Sequence, residues 1–177
     1  MRYADGPEAQ VERRVRTTPS RVWSLVTDIE LPARFSPELH RVEWVDGATG
    51  PALGARFIGH NRNQILGEWR TLSRIVELVP ERVFAWSVYD PDDVFGGADA
   101  KPDAPSATWR FELAPDGPDG NVTLLRQSAR LGPGPSGLSL AIDRAPDREE
   151  AIVAYRLDDL RAGMRTTLDG IAALAEA

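Results

Sequence analysis

The C-terminal stretch 146–176 constrains the fold more than any other part of the chain. Its apolar residues recur at steps of three and four, which is the spacing of a buried stripe on an amphipathic helix. They are Val153, Leu157, Leu160, Met164, Leu168, Ile171 and Leu174. Pro146 suits a first helical turn, and Glu149 and Glu150 place negative charge at the positive end of the helix dipole. Such a helix is about 45 Å long, and because isolated helices are marginal in water it needs a surface to lie on.

The rest of the chain supplies that surface as short strands. Two short helices follow the first strand, one opened by Thr18 and Pro19 and one at 33–38, and a further helical piece lies near 138–142. Residues 1–9 are polar and expected to be flexible. Alternating apolar and polar residues between turn signals predict strands at 11–17, 41–45, 55–63, 68–78, 82–90, 107–113 and 122–131.

The order of these elements predicts the fold class. The strands cluster together and the helices are segregated from them, which favours an α+β fold over an alternating α/β fold. Hairpin-sized connections between the later strands favour antiparallel pairing. We therefore expect a single domain over 1–177, in which a curved antiparallel sheet of six or seven strands wraps around the long C-terminal helix. The space between sheet and helix is where a small molecule would fit.

Composition and charge exclude several classes of function. The 177 residues carry a net charge of −6, which argues against a nucleic acid or an anionic membrane as the main partner. With no cysteine, disulfides and thiolate nucleophiles are excluded. No apolar run approaches the length of a membrane span, so we expect no membrane insertion and a cytoplasmic location. The glycine motifs of cofactor and phosphate sites are absent, and His40 and His60 lack ligand spacing, so we expect neither a cofactor nor a metal.

Five segments together resemble a known superfamily. They are TPSRVWSLVTDIELPARFSP after the first strand, then ARFIGHNRN, EWRTLSRIVELVPERVFAWSV and ATWRFEL, and REEAIVAYRLDDLRAGMRTTLDGIAALAE at the end. In this order they resemble the START/helix-grip superfamily, also called SRPBCC, in its polyketide cyclase/dehydrase-like branch, from about Val11 onward. The resemblance implies a helix-grip fold with a hydrophobic cavity between the sheet and the C-terminal helix. Members include lipid and sterol carriers, plant hormone receptors, polyketide aromatase/cyclases and many bacterial proteins, and they share no catalytic motif.

Aromatic residues in the predicted strands are the main candidates for a cavity wall. Phe84 and Trp86 share one face of their strand, Trp109 and Phe111 share one face of theirs, and we predict that both faces point inward. With the polar and helical candidates, the predicted ligand-binding set is Phe57, Asn61, Trp69, Thr71, Phe84, Trp86, Trp109, Phe111, Arg126, Arg156, Leu157, Leu160 and Met164. The sequence does not identify which residue, if any, is catalytic.

Three of the predicted strands, 55–63, 68–78 and 122–131, leave open which of their faces points inward. In 55–63 we place Phe57 and Asn61 inward, with Gly59 leaving room between them. His60 then lies on the opposite face, where we expect it to be bonded to a neighbour. The alternative is that His60 points into the cavity and acts there as a base. The apolar parity of 68–78 changes midway, which predicts a β-bulge or a bend.

Polar groups facing the cavity would fix the orientation of a ligand. The candidates are Asn61, Thr71, Ser73, Arg126 and Ser128 in strands, with Tyr155 and Arg156 at the start of the long helix. An inward arginine needs a carboxylate or an anionic ligand, since an unpaired buried charge is costly. Arg126 therefore has an alternative as an outward strand residue, and Arg156 has one as a solvated helix residue.

Two glycines and two loops leave further alternatives open. Gly163 and Gly170 interrupt the long helix, which either tolerates them or uses Gly163 for the close approach of a strand or a ligand. The link 132–135 and the loop 91–105 either border and gate the cavity mouth or merely connect elements.

Three functions fit these observations. The first is a carrier or binding protein for a hydrophobic small molecule such as a lipid, a polyketide or another aromatic metabolite. The second is a cofactor-independent cyclase, dehydratase or aromatase that folds a poly-keto chain and polarises its carbonyls. The third is an interaction or stress-response module whose cavity is filled by its own side chains. We rank binding first, and both a monomer and a homodimer fit because an exposed strand edge can pair.

Overall fold

A computed structural model describes residues 1–64, 67–96 and 104–177, and within them seven strands form one antiparallel sheet. The strands are β1 (Glu8–Val15), β2 (Leu39–Trp44), β3 (Arg56–Asn63), β4 (Gly67–Val79), β5 (Val83–Tyr89), β6 (Ala107–Pro115) and β7 (Thr123–Leu131). The helices are α1 (Pro19–Val26), α2 (Gly137–Arg144) and α3 (Glu149–Glu176). Their order confirms the predicted α+β fold with a long C-terminal helix.

The sheet order is β1-β7-β6-β5-β4-β3-β2, so β1 and β2 are its edges. Every strand from β2 to β7 pairs with its neighbour in sequence, as the short connections predicted. β1 alone pairs across the whole chain, with β7. This closing pair brings the N-terminal strand beside the strand that leads into the helices.

The first strand and the second short helix differ most from their predicted bounds. β1 begins at Glu8 rather than Val11, because the residues before Val11 pair with the end of β7. The second short helix is a 3₁₀ turn at Leu31–Arg34 rather than a helix at 33–38. The reason is local, since the Ser36 hydroxyl accepts hydrogen bonds from the backbone N–H groups of Glu38 and Leu39 and turns the chain into β2.

The helix α3 lies over β1 and β7. Small side chains make this close packing possible, since Ala9 and Ala129 stand opposite each other, and Ala107 on β6 stands opposite Leu131, two residues further along β7. Leu157, Leu160 and Met164 of α3 pack against these alanines in one apolar cluster. A second cluster joins the C-terminal half of α3, α1 and the inner face of the central strands, with Leu168, Ile171, Phe111 and Leu125 among its members.

The predicted change of parity in β4 is a bulge. The register shifts between Ile75 and Glu77, so that Ser73 faces Val88 before the shift and Leu78 faces Phe84 after it. Both parts of this long strand therefore present side chains to the same inner face. None of the described helices is both long and apolar enough to cross a membrane.

Candidate functional site

Five aromatic side chains form one cluster on the inner face of the central strands. Strand pairing places Phe84 opposite Phe111 and Trp86 opposite Trp109, which confirms their predicted common face. Trp86 is the centre, because its ring centroid lies 5.1 Å from Phe84, 5.8 Å from Phe111, 6.3 Å from Trp109 and 6.4 Å from Phe57. The two indole planes are parallel to within 7°. The three phenylalanines are buried in the core, whereas both indoles stay partly exposed.

A row of neutral polar groups lies on the same face beside the aromatic rings. Pairing of β3 with β4 places Asn61 opposite Trp69, Gly59 opposite Thr71 and Phe57 opposite Ser73. The Asn61 amide donates two long hydrogen bonds of 3.4 Å, to Thr71 Oγ1 and to the Gly59 carbonyl. Asn61, Trp69 and Thr71 are all partly exposed.

Gly59 does not leave the room that we expected. A Cβ at this position would lie 2.8 Å from Thr71 Oγ1 and 3.0 Å from Leu39 Cδ1. The glycine therefore allows close packing of Leu39 and Thr71 over β3, and it opens no space between Phe57 and Asn61.

Leu157, Leu160 and Met164 are buried under α3, on the alanines of β1, β6 and β7, with Trp109 packed against the same cluster. They thus border the aromatic cluster on the helix side. Their contact with a ligand, like that of the buried phenylalanines, stays a prediction.

The placement of Arg126 and Ser128 on the inner face was wrong. Both lie on the outer face, where Arg126 stands opposite Glu12 and Glu112, and Ser128 stands opposite Arg110. Arg126 pairs with Glu12 at 3.2 Å and with Glu112 at 3.6 Å. Glu112 in turn pairs with Arg110, which also binds Glu77. A chain of alternating charges therefore crosses the outer face, and the arginine has carboxylate partners there.

The two polar candidates on α3 also point away from the inner face. Tyr155 is 77% exposed. Arg156 forms an ion pair with Asp159, one turn further along the helix, at 2.5 Å. The alternative of a solvated helix residue is therefore the correct one for Arg156, because its partner lies on the exposed side of α3.

His60 is bonded to its neighbours on the outer face of the sheet. Its Nε2 lies 2.8 Å from Glu43 Oε1 and 2.8 Å from an Arg41 guanidinium nitrogen. The hydrogen bond to His60, together with the charge of Arg41, lowers the pKa of the Glu43 carboxyl. The structure thus agrees with a strand-face histidine rather than a base inside the cavity.

Gln127 is the inner-face polar residue that the sequence analysis missed. It stands opposite Phe111 on one side and Val11 on the other, and it is only 5% exposed. Its Oε1 is buried without a hydrogen-bond partner among the described residues. The alternation of β7 does indicate that Gln127 faces inward, because Leu125, Ala129 and Leu131 lie on the same face of the strand and are all apolar.

One end of the inner face is closed by contacts between distant segments. The Tyr3 hydroxyl donates a 2.6 Å hydrogen bond to the Gly134 carbonyl, and burial raises the pKa of this hydroxyl. The link 132–135 in turn donates backbone hydrogen bonds from Gly132 and Gly134 to the carbonyls of Ser106 and Pro105. The two predicted mouth segments therefore meet, although 97–103 of the loop lie outside the described residues. Gating by these segments, and flexibility of residues 1–9, stay predictions.

The glycines of α3 have opposite surroundings. A Cβ at Gly163 would meet nothing within 4 Å, so this glycine is simply tolerated on the exposed side. A Cβ at Gly170 would overlap the ring of Phe35. The close approach that we considered for Gly163 therefore occurs at Gly170.

A groove runs along the seam between β1 and α3. Its volume is about 440 Å³, its apolar lining comes from Val11 and Leu168, and its charged lining includes the Arg13–Asp169 ion pair. Val11 on its wall is the strand partner of Gln127, which does not itself line the groove.

Comparisons with known proteins agree with this architecture. A family model described as polyketide cyclase/dehydrase and lipid transport matches residues 7–176. The fold is similar to that of the Polyketide_cyc-like protein Cgl2372 from Corynebacterium glutamicum, at 24% identity and a TM-score of 0.62, over 96% of this chain and 91% of that one. It is also similar to the Zhui aromatase/cyclase from Streptomyces sp. R1128, at 16% identity and a TM-score of 0.63, over 96% and 93%.

A third similar structure is Ara h 8.0201, at 13% identity and a TM-score of 0.56, over 96% of this chain and 97% of that one. At these identities the likeness shows the fold alone. Among curated proteins, none matches the chain.

Proposed function

Because this chain belongs to the polyketide cyclase/dehydrase and lipid transport family, we propose that it binds a hydrophobic small molecule on the inner face of its sheet. The molecule would be a lipid, a polyketide or another aromatic metabolite. The family membership itself confirms the resemblance found in the sequence. We further propose that binding takes place in the cytoplasm, in a monomer or a homodimer.

The observation that carries this proposal is the partial exposure of Trp86 and Trp109 within an otherwise buried cluster. The two indoles are stacked side by side with parallel planes, and their partly exposed atoms leave an apolar surface on the inner face, which we call the aromatic floor. A planar or chain-like apolar ligand would remove this remaining surface from water, which contributes about 25 cal/mol for each Å² buried. The helix α3 lies over β1 and β7, beside this floor, and supplies a wall.

Cyclase chemistry is the second candidate function. It is favoured by the neutral polar row of Asn61, Thr71 and Ser73, which shares a face with the aromatic floor. Hydroxyl and amide groups in such a row would hydrogen-bond the carbonyl groups of a poly-keto chain and hold it in a folded shape. We rank this function second because the groups with shifted pKa values lie on the outer face or at the chain ends, as Glu43 and Glu176 do.

Native mass spectrometry of the freshly purified protein tests the proposal most directly. The expected result is an additional mass that is lost when the same sample is denatured. Identification of the molecule that accounts for this mass would distinguish a carried lipid from a poly-keto substrate or its cyclised product. A bare native mass, combined with no detectable binding of apolar aromatic probes, would contradict the binding function.

A further inference from the structure

Gln127 is a buried amide on an apolar face. Its neighbours on the same side of β7 are Leu125 and Ala129, and both are completely buried. The Gln127 Oε1 is enclosed and has no hydrogen-bond partner in the described part of the chain. Protein interiors avoid such unpaired acceptors, because the lost hydrogen bonds to water are not replaced. An apolar residue would suit this position better, unless the acceptor receives a partner from outside the chain.

The position of Gln127 is the boundary between the two apolar clusters. Leu125, on one side, packs in the cluster that contains Phe111 and Leu168. Ala129, on the other side, packs in the cluster that contains Trp109 and Met164. Met164 and Leu168 lie one turn apart on α3, and the boundary therefore runs beneath this turn. Gln127 therefore lies where the two apolar clusters meet, and neither cluster supplies a hydrogen-bond donor to its Oε1.

This boundary adjoins the aromatic floor and lies one strand away from the surface groove between β1 and α3. Phe111 stands directly opposite Gln127, and its ring lies 5.8 Å from that of Trp86. Val11 stands opposite Gln127 on the other side, and with Leu168 it lines the groove of about 440 Å³ between β1 and α3. Grooves of this volume are within the range that holds small organic molecules.

From this geometry we infer that Gln127 is the polar anchor of the bound ligand, and that its Oε1 accepts a hydrogen bond from a hydroxyl or N–H group of an otherwise apolar molecule. The inference rests on the proposed function and adds the chemical group that the ligand carries. An amide oxygen accepts but does not donate, so an ether or a hydrocarbon leaves it unpaired, whereas a phenol or an alcohol satisfies it.

Two isomeric probes test this inference, because they differ in whether their oxygen carries a proton. They are 6-methyl-2-naphthol and 2-methoxynaphthalene, and their affinities are measured by isothermal titration calorimetry. The wild type is expected to bind the naphthol about five- to tenfold more tightly, which is the usual effect of one neutral hydrogen bond. Gln127→Leu should lower the affinity for the naphthol to that for the ether and leave the ether unaffected.

Gln64→Leu is the matched control, since it makes the same change at an exposed glutamine just after β3. It should keep the preference of the wild type. Gln127→Met also removes the acceptor, and it replaces Gln127→Leu if the branched side chain packs badly. Equal affinities of the wild type for both isomers would overturn the inference while the proposed function stands. Binding of neither isomer would contradict the inference, and together with a bare native mass it would contradict the proposed function as well.

The melting temperature of the ligand-free variant provides an independent readout. Because Gln127→Leu removes an unpaired acceptor, the variant should melt at the temperature of the wild type or above it. A fall of several degrees in both Gln127→Leu and Gln127→Met would show that the amide has a structural role and overturn the inference. A preference for the naphthol that survives in the variants would show that the amide has no part in ligand choice.

Discussion

Trp86 is the residue on which the aromatic cluster converges, with four other ring centroids within 6.4 Å of its own. We predict that Trp86→Ala lowers the free energy of unfolding by about 3 kcal/mol, because the surrounding rings cannot collapse fully into the void. The same change should weaken the binding of any apolar ligand. Urea unfolding and calorimetry measure the two effects, and Trp86→Phe, which keeps one ring, should lose less of each. An unchanged unfolding midpoint with unchanged affinity would remove Trp86 from the site.

Asn61 has a different expected role, because its hydrogen bonds are long. At 3.4 Å to Thr71 and to the Gly59 carbonyl they contribute little to stability. We predict that Asn61→Leu changes the free energy of unfolding by less than about 1 kcal/mol and alters which probe the protein prefers. Urea unfolding and a comparison of probe affinities check this. Loss of folding would make Asn61 a structural residue.

The contrast between Trp86 and Gln127 shows how far sequence patterns predict the site. Trp86 and Trp109 lie in strands whose two faces differ clearly, so alternation placed them correctly. In β7 the contrast is weaker, because Leu124 and Leu125 are adjacent and both apolar, and only Ala129 and Leu131 further along the strand favour the parity of Gln127. The parity was therefore misassigned, and Arg126 was placed inward instead of Gln127. Glutamine is rarely buried, so composition did not point to it either.

At the scale of elements, α3 offers a matched pair of glycine substitutions. We predict that Gly163→Ala raises the free energy of unfolding by about 0.5–1 kcal/mol, because alanine favours the helix and its Cβ meets open space. Gly170→Ala has the same helical gain, but its Cβ overlaps Phe35 and should make the net effect destabilising. Chemical denaturation of both variants measures the difference. Equal stabilisation by both would mean that Phe35 moves away without cost.

The N-terminal contact of Tyr3 has a predictable pH dependence. Tyr3→Phe removes the hydrogen bond to Gly134 and should cost about 1 kcal/mol at pH 7. Burial raises the pKa of Tyr3 in the folded state above the unfolded value of about 10. Its stabilising contribution is thus complete below pH 10 and is lost as the pH rises through the folded-state pKa. The stability difference between wild type and Tyr3→Phe should shrink above pH 10, and a constant difference would contradict this account.

The elements themselves were predictable where a long periodic pattern specified them. The stripe on α3 extends over many turns, and the turn residues Asp46 and Gly47 after β2 adopt the positive φ angles that asparagine, aspartate and glycine favour. The start of β1 and the turn at Leu31–Arg34 were not predicted. They depend on a strand pairing that spans the chain and on one hydroxyl of Ser36, and neither leaves a periodic signal.

Over the whole molecule, the sheet separates two kinds of surface. Its inner face is apolar, with neutral polar groups, and its outer face carries the linked ion pairs from Glu12 through Arg126 to Glu77. A ligand held on the inner face would therefore meet groups that do not titrate near neutral pH. The binding of an uncharged ligand and the stability of the fold should consequently respond differently to acid.

The response of stability to acid follows from four exposed carboxyl groups. Hydrogen bonds lower the pKa values of Glu43, Asp92, Glu150 and Glu176, through His60, Arg70, the N-terminal ammonium and the Arg16 backbone N–H, respectively. Since each folded-state pKa lies below the unfolded value of about 4, the stabilisation is present above that pH and is lost as the pH falls through the folded-state values.

We therefore predict that the urea midpoint falls between about pH 5 and pH 3, and that the fall is smaller in 1 M salt because exposed pairs are screened. The affinity for 6-methyl-2-naphthol should stay constant from pH 7 to pH 5, since neither the indoles nor the Gln127 amide titrates there. Urea unfolding and calorimetry on the same samples separate the two quantities. A flat midpoint down to pH 3 would mean that the four pairs do not stabilise the fold. An affinity that fell between pH 7 and pH 5 would place a titrating group in the site and argue against an anchor made by a neutral amide.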